Sequence, residues 1–156
     1  MAFAKGGQGR SGKLPKNVCG ERVRIALVEA RPAGLSLKQL VAATGLSPYQ
    51  VRKGILWIKE TAATEHLTPL IWTPRDGYRF PTDPADWIAY ERAQFKASLT
   101  RVGRLLSGTI APHALRYPDD RWAKFVLAQT TSMASTLDML ANGTTPVGSR
   151  PAAPTT

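Results

Sequence analysis

The sequence predicts a mainly α-helical chain with one small β-hairpin: a three-helix unit and the hairpin come first, then an antiparallel helical pair. Three observations carry this. Apolar residues recur at helical spacing between residues 21 and 58. The period then changes to that of strands on both sides of Pro74-Arg75-Asp76-Gly77. Two long amphipathic patterns follow, interrupted by Gly108, Pro112 and Pro118-Asp119-Asp120. With 156 residues, 43% hydrophobic and 21% charged content, the chain is long enough for one or two small cores.

The first helix is expected from Glu21 to Arg31, with Val23, Ala26, Leu27 and Ala30 at helical spacing and Pro32-Ala33-Gly34 as its stop. Ser36 is a good N-cap for a short second helix whose face is Leu37, Leu40 and Val41, and Gly45 supplies the left-handed residue that closes it. Leu46 follows as a buried plug. Ser47 caps the third helix, Pro48 takes its first position, and Gln50 completes a capping box. At 100° per residue Val51, Ile55 and Ile58 gather on one side of this helix, with Tyr49, Gln50, Lys53 and Trp57 on the other. Gly54 inside it reads as a close approach by another helix or else as an accident of sequence. Leu70 to Thr73 and Tyr78 to Phe80 are the strands of the hairpin, with Trp72, Tyr78 and Phe80 expected as core beneath it.

Asp83-Pro84-Ala85-Asp86 starts a long helix in which Trp87, Ile88, Phe95, Leu99, Val102 and Leu106 recur at spacings of 3 and 4, ending near Gly108 and Pro112. The last helix opens at Pro118-Asp119-Asp120 and carries Trp122, Phe125, Val126, Met133, Leu137 and Leu140 up to Asn142-Gly143. Such a pair is too thin to hide all these side chains, so it either meets a second subunit or folds back on the N-terminal unit. Trp87, Phe95, Leu99, Val102, Leu106, Trp122, Phe125, Met133 and Leu137 are the candidate dimerisation residues. Four regions result: a basic flexible arm over 1–20, the three-helix unit with its hairpin over 21–82, the helical hairpin over 83–142, and a disordered Pro/Thr/Ala tail over 143–156.

A net charge of +10 favours a polyanionic partner, nucleic acid before an anionic membrane surface. The excess is uneven: residues 1–79 carry 13 Lys+Arg against 5 Asp+Glu, and residues 80–156 carry 8 against 6. Within 1–20, five glycines accompany Lys5, Arg10, Lys13 and Lys16 without an acid; this segment reads either as an arm that follows phosphates or as a solubilising leader. The single cysteine, Cys19, excludes an intramolecular disulfide and a cysteine-based zinc site. No apolar run approaches the roughly 20 residues of a membrane span, and no secretory leader is visible, so a cytoplasmic, nucleoid-associated protein is expected.

The stretch Leu37-Lys38-Gln39-Leu40-Val41-Ala42-Ala43-Thr44-Gly45-Leu46-Ser47-Pro48-Tyr49-Gln50-Val51-Arg52-Lys53, followed by the hairpin, resembles the winged helix-turn-helix superfamily over residues 21–81. Leu40, Gly45, Leu46, Ser47 and Val51 stand where that family places a core leucine, the turn glycine, a plug, the recognition-helix cap and a core β-branched residue. Val41, where a small alanine is more common, and Gly54 depart from the pattern. With its C-terminal helical pair the chain also resembles small actinobacterial regulators, among them RacP-like proteins of mobile elements.

A helix fits the major groove of B-DNA and reads base edges with its N-terminal residues. The resemblance therefore makes the Ser47 end the reading end. Gln50 is expected on adenine, Lys53 on guanine, Tyr49 on a phosphate or a thymine methyl, and Arg52 on the backbone; Ser36 and Trp57 complete the expected contact set. Arg75 and Arg79 are expected on the adjacent minor groove or its phosphates, or else as a charged edge that blocks sheet-to-sheet aggregation; Lys13 and Lys16 belong to the arm. Catalytic chemistry is not expected: His66 and His113 stand without ligand-spaced partners, Gly6 to Lys13 lacks the order of a phosphate-binding loop, and no cofactor or small-molecule ligand is called for. The expected function is sequence-specific binding of double-stranded DNA by a homodimeric transcriptional regulator, a repressor. The alternative is an accessory protein of plasmid or mobile-element replication, partition or excision, or a winged adaptor that binds another protein.

Overall fold

A computed structural model describes residues 13–143. Residues 1–12 of the predicted arm and residues 144–156 of the predicted tail lie outside the described residues. The chain divides into two units, one ending at Pro84 and one beginning at Ala85.

In the first unit, helix α1 runs over Lys16–Glu29 and begins five residues before the position expected from the sequence. The predicted arm is therefore corrected: residues 16–20 are helical, and Cys19 and Gly20 are buried. The cause lies in the spacing, because Cys19, Val23 and Leu27 follow one another at i, i+4 and i+8 and all three are fully buried. Gly20 is no breaker here. A Cβ at this position would lie 2.1 Å from the Trp57 ring, so the missing side chain lets the indole rest on α1.

Helix α2 spans Leu37–Thr44 and α3 spans Pro48–Trp57; both open with a complete capping box, Ser36 with Gln39 and Ser47 with Gln50. The backbone turns between them at Gly45, whose φ is 67°, and Leu46 fills the angle, buried. Helices α1 and α3 pack tightly because Gly54 of α3 meets the backbone of α1: a Cβ there would be 2.8 Å from the Cys19 carbonyl oxygen. After α3 the helix widens into one π-helical turn, Ile58–Ala62, and ends in a last α turn, α4, Ala63–Glu65.

Strands β1, Ile71–Thr73, and β2, Gly77–Arg79, pair antiparallel with Ile71 opposite Arg79, Trp72 opposite Tyr78 and Thr73 opposite Gly77. The hairpin is tied to the segment before α2 by one further bridge. Leu35 donates its N–H to the Tyr78 carbonyl at 2.8 Å and accepts the Tyr78 N–H at 2.9 Å. Gly77, with φ 73°, makes this possible, since a Cβ there would lie 2.5 Å from the Leu35 carbonyl oxygen. Cys19, Val23, Leu27, Leu40, Leu46, Val51, Ile55, Ile58, Ala62 and Phe80 form one core cluster. Full burial of each large aliphatic side chain in it contributes about 1.5–3 kcal/mol relative to exposure. Trp72, expected in this core, is exposed instead; strand alternation sends Ile71 inward and its neighbour outward.

The second unit consists of α5, Pro84–Leu105, a π-helical turn over Leu106–Ile110, α6, Ala111–Arg116, and α7, Arg121–Asn142. The expected break at Gly108 and Pro112 is corrected, because the helix continues through both. The π turn steps the ladder on by one residue, with the Ala111 N–H bonded to the Leu106 carbonyl, just before Pro112, which has no N–H to offer. The reversal falls at Tyr117–Asp120, where the Asp120 side chain caps α7 by accepting the Ala123 N–H at 3.0 Å. Helix α7 packs on the π turn and on α6, and Arg92 of α5 donates to the Gly143 carbonyl at 3.3 Å. Among the described residues no helix is long and apolar enough to cross a membrane.

Candidate nucleic-acid interface

Burial of Val51, Gly54, Ile55 and Ile58 fixes the rotation of α3 about its axis and decides what it shows to solvent. Tyr49 is 65% exposed and Leu56 51% exposed, one below the other on the outer face, and Arg52 is exposed beside them. Lys53 is half-buried with its Nζ 5.7 Å from the centre of the Tyr49 ring, a cation–π contact that steadies both side chains. Between Pro48 and Lys59 stand three cations, Arg52, Lys53 and Lys59, and no acid. The first acid, Glu60, is already paired with Lys16 at 2.6 Å.

Trp57 and the polar caps among the expected contacts are held differently. Trp57 is half-buried and packs on the core against Gly20 of α1, so it does not belong to the outer face. Gln50 is engaged in its own backbone: its Oε1 accepts the Ser47 N–H at 3.0 Å while the Ser47 hydroxyl accepts the Gln50 N–H at 3.2 Å. A bidentate contact with adenine uses that same oxygen, so base reading and capping compete for it. Ser36 is likewise committed to its box, accepting the Gln39 N–H at 3.2 Å.

The hairpin stands beside α3. Arg52, Ile55, Leu56 and Lys59 on one side and Tyr78 on the other line a groove of about 180 Å³ between helix and strand. Leu56 and Lys59 were not among the residues singled out from sequence; the signal that finds Leu56 is its position seven residues after Tyr49, two turns along the same face. At the tip, the Arg75 side chain is 90% exposed, with its Nε 3.1 Å from Asp76 Oδ1. The hydrogen bond from Arg75, assisted by one from the Thr73 hydroxyl, holds the Asp76 carboxyl below the usual carboxylate range. Arg79 is half-buried on β2, so of the two hairpin arginines singled out from the sequence only Arg75 is exposed. The hairpin turn is fixed against Gly34, where a Cβ would lie 2.0 Å from the Asp76 carbonyl oxygen. Of the arm cations, Lys13 is exposed ahead of α1, whereas Lys16 belongs to its first turn and bonds Glu60.

In the second unit the nine candidate dimerisation residues separate into two sets. Trp87, Phe95, Leu99, Val102, Leu106 and Leu137 are half-buried. Trp122 and Phe125 are 66% and 58% exposed, and Met133 with Leu140 continues the same outer stripe of α7. Only Ile110 and Ala123 are buried among the described residues of this unit. His113 lies in α6 with its Nε2 3.5 Å from Asp120 Oδ2, and His66 is exposed just after α4. No protein-family model matches the chain, and no curated protein or solved structure matches it.

Proposed function

We propose that the chain is a winged helix-turn-helix protein that binds double-stranded DNA sequence-specifically, as a homodimeric transcriptional regulator that represses by occupying its site. The observation that carries this reading is the outer face of α3: exposed, free of acids between residues 48 and 59, and held on a buried three-helix core beside a pinned hairpin with Arg75 at its tip. In this reading α3 enters the major groove, Lys53 and Tyr49 reach base edges, Arg52 and Lys59 hold phosphates, and Arg75 meets the adjacent minor groove. The exposed stripe Trp122, Phe125, Met133 and Leu140 supports a second subunit, because the helical hairpin buries only two of its described residues.

Fluorescence anisotropy of the full chain on the DNA upstream of its own gene and on a scrambled duplex, over a salt series, tests the reading. A preference of about 10³ or more for the upstream duplex, lowered at least about tenfold by Lys53→Ala, is the expected result. Equal, Lys53-insensitive binding to both duplexes contradicts it. The same apolar stripe favours a second reading, an accessory protein of mobile-element replication, partition or excision, or a winged adaptor, in which α7 binds another protein. That reading predicts weak phosphate-driven DNA affinity alone.

A further inference from the structure

We propose that α3 reads thymine by its C5-methyl group, with Leu56 as the main contact and Tyr49 as the second; this rests on the duplex-binding reading above. A lone exposed leucine is ordinary on a protein surface. Leu56 differs in its setting. It stands at the mouth of the groove between α3 and β2, with Arg52 and Lys59 beside it and Tyr78 across from it, and the groove has no acidic lining residue. A ligand that complements this lining carries negative charge and presents a small apolar group to the half-exposed leucine.

Duplex DNA meets both demands. Its phosphates answer the two cations, and the one apolar group that its major groove displays is the thymine methyl. RNA duplexes lack that methyl and have a major groove too narrow for side chains. Tyr49 repeats the arrangement two turns earlier on the same face, with Lys53 over its ring. Seven residues of helix separate Tyr49 and Leu56 by about 10 Å along the axis. That is the length of about three base-pair steps, so the two methyls are expected about three base pairs apart in each half-site.

The test uses the full chain and duplexes it selects from a random double-stranded library. In the preferred site each thymine is replaced in turn by deoxyuridine, which removes the methyl and leaves every hydrogen-bonding group in place. Burial of one methyl predicts about a fourfold loss of affinity at each contacted position. One such penalty should vanish in Leu56→Ala and in Leu56→Gln, and the other in Tyr49→Ala, with unchanged circular dichroism showing that these surface variants fold. Uracil duplexes that bind as well as the parent, or penalties that persist in all three variants, overturn the inference while leaving duplex binding intact. Failure to enrich any duplex overturns both the inference and the reading beneath it.

Discussion

Gly54 shows how one missing methyl sets the geometry of the interface. Helix propensity alone favours alanine by about 1 kcal/mol at an interior helical position. Here the new Cβ would meet the Cys19 carbonyl oxygen at 2.8 Å, backbone against which nothing flexible can yield. Overpacking of this kind costs about 1–3 kcal/mol, so Gly54→Ala is expected to lower stability in urea denaturation, opposite in sign to the propensity effect. An unchanged or higher midpoint would show that α1 and α3 do not cross as closely as described. The close approach was legible in the sequence, since a glycine inside an otherwise regular helical pattern asks for a neighbour. Its partner was not, because Gly20 and Cys19 stand next to a glycine-rich basic stretch whose composition conceals the first turn of α1.

The box of Ser36 with Gln39 and the π turn that follows α3 emerge only in the structure, but among the elements the starts of both short helices of the first unit were readable from side-chain chemistry: Ser36 and Ser47 at the caps, Gln50 closing a box, Gly45 at the turn. The Leu35 bridge to Tyr78 was not, since a single bridging residue has no alternation to betray it. Nor was the continuation of α5 into α6, where a π turn accommodates the proline that ordinarily ends a helix. The start of α7 gives a prediction at this scale. The Ala123 N–H, with His113 nearby, holds the Asp120 carboxyl below its ordinary value in the folded chain. Stability from this cap is thus present above the unfolded carboxylate pKa, near 4, and is lost as pH falls through the lower folded value. Urea midpoints measured from about pH 6 to about pH 3 should fall toward acid. Asp120→Asn, which still caps but does not titrate, should flatten part of that fall, with Glu21 and Asp76, both also lowered, supplying the remainder. An identical slope in the variant would remove Asp120 from the account.

For the whole molecule, the cationic helix face and the exposed apolar stripe lie in different units. The acid-free face of α3 and the Arg75 tip belong to the first unit, and the exposed stripe on α7 belongs to the second. The excess of apolar side chains on the two long helices, Trp122, Phe125 and Met133 among them, was legible in the sequence; that these are exposed while Trp87, Phe95 and Leu99 are half-buried was not, because both sets recur at helical spacing. Light scattering is expected to give twice the 16.9 kDa chain mass at micromolar concentration, and Trp122→Asp with Phe125→Asp is expected to return the monomer with its helical content kept. A wild-type monomer would leave the stripe without a second copy. In the proposed dimer, α3 of each copy enters a major groove. Methylation interference on the selected duplex tests it most directly, since methyl groups on guanine N7 project into the major groove. Such methyls are expected to block binding in two clusters about 34 Å apart, one helical turn. Interference confined to adenine N3 in the minor groove, or absent at every position, would contradict it.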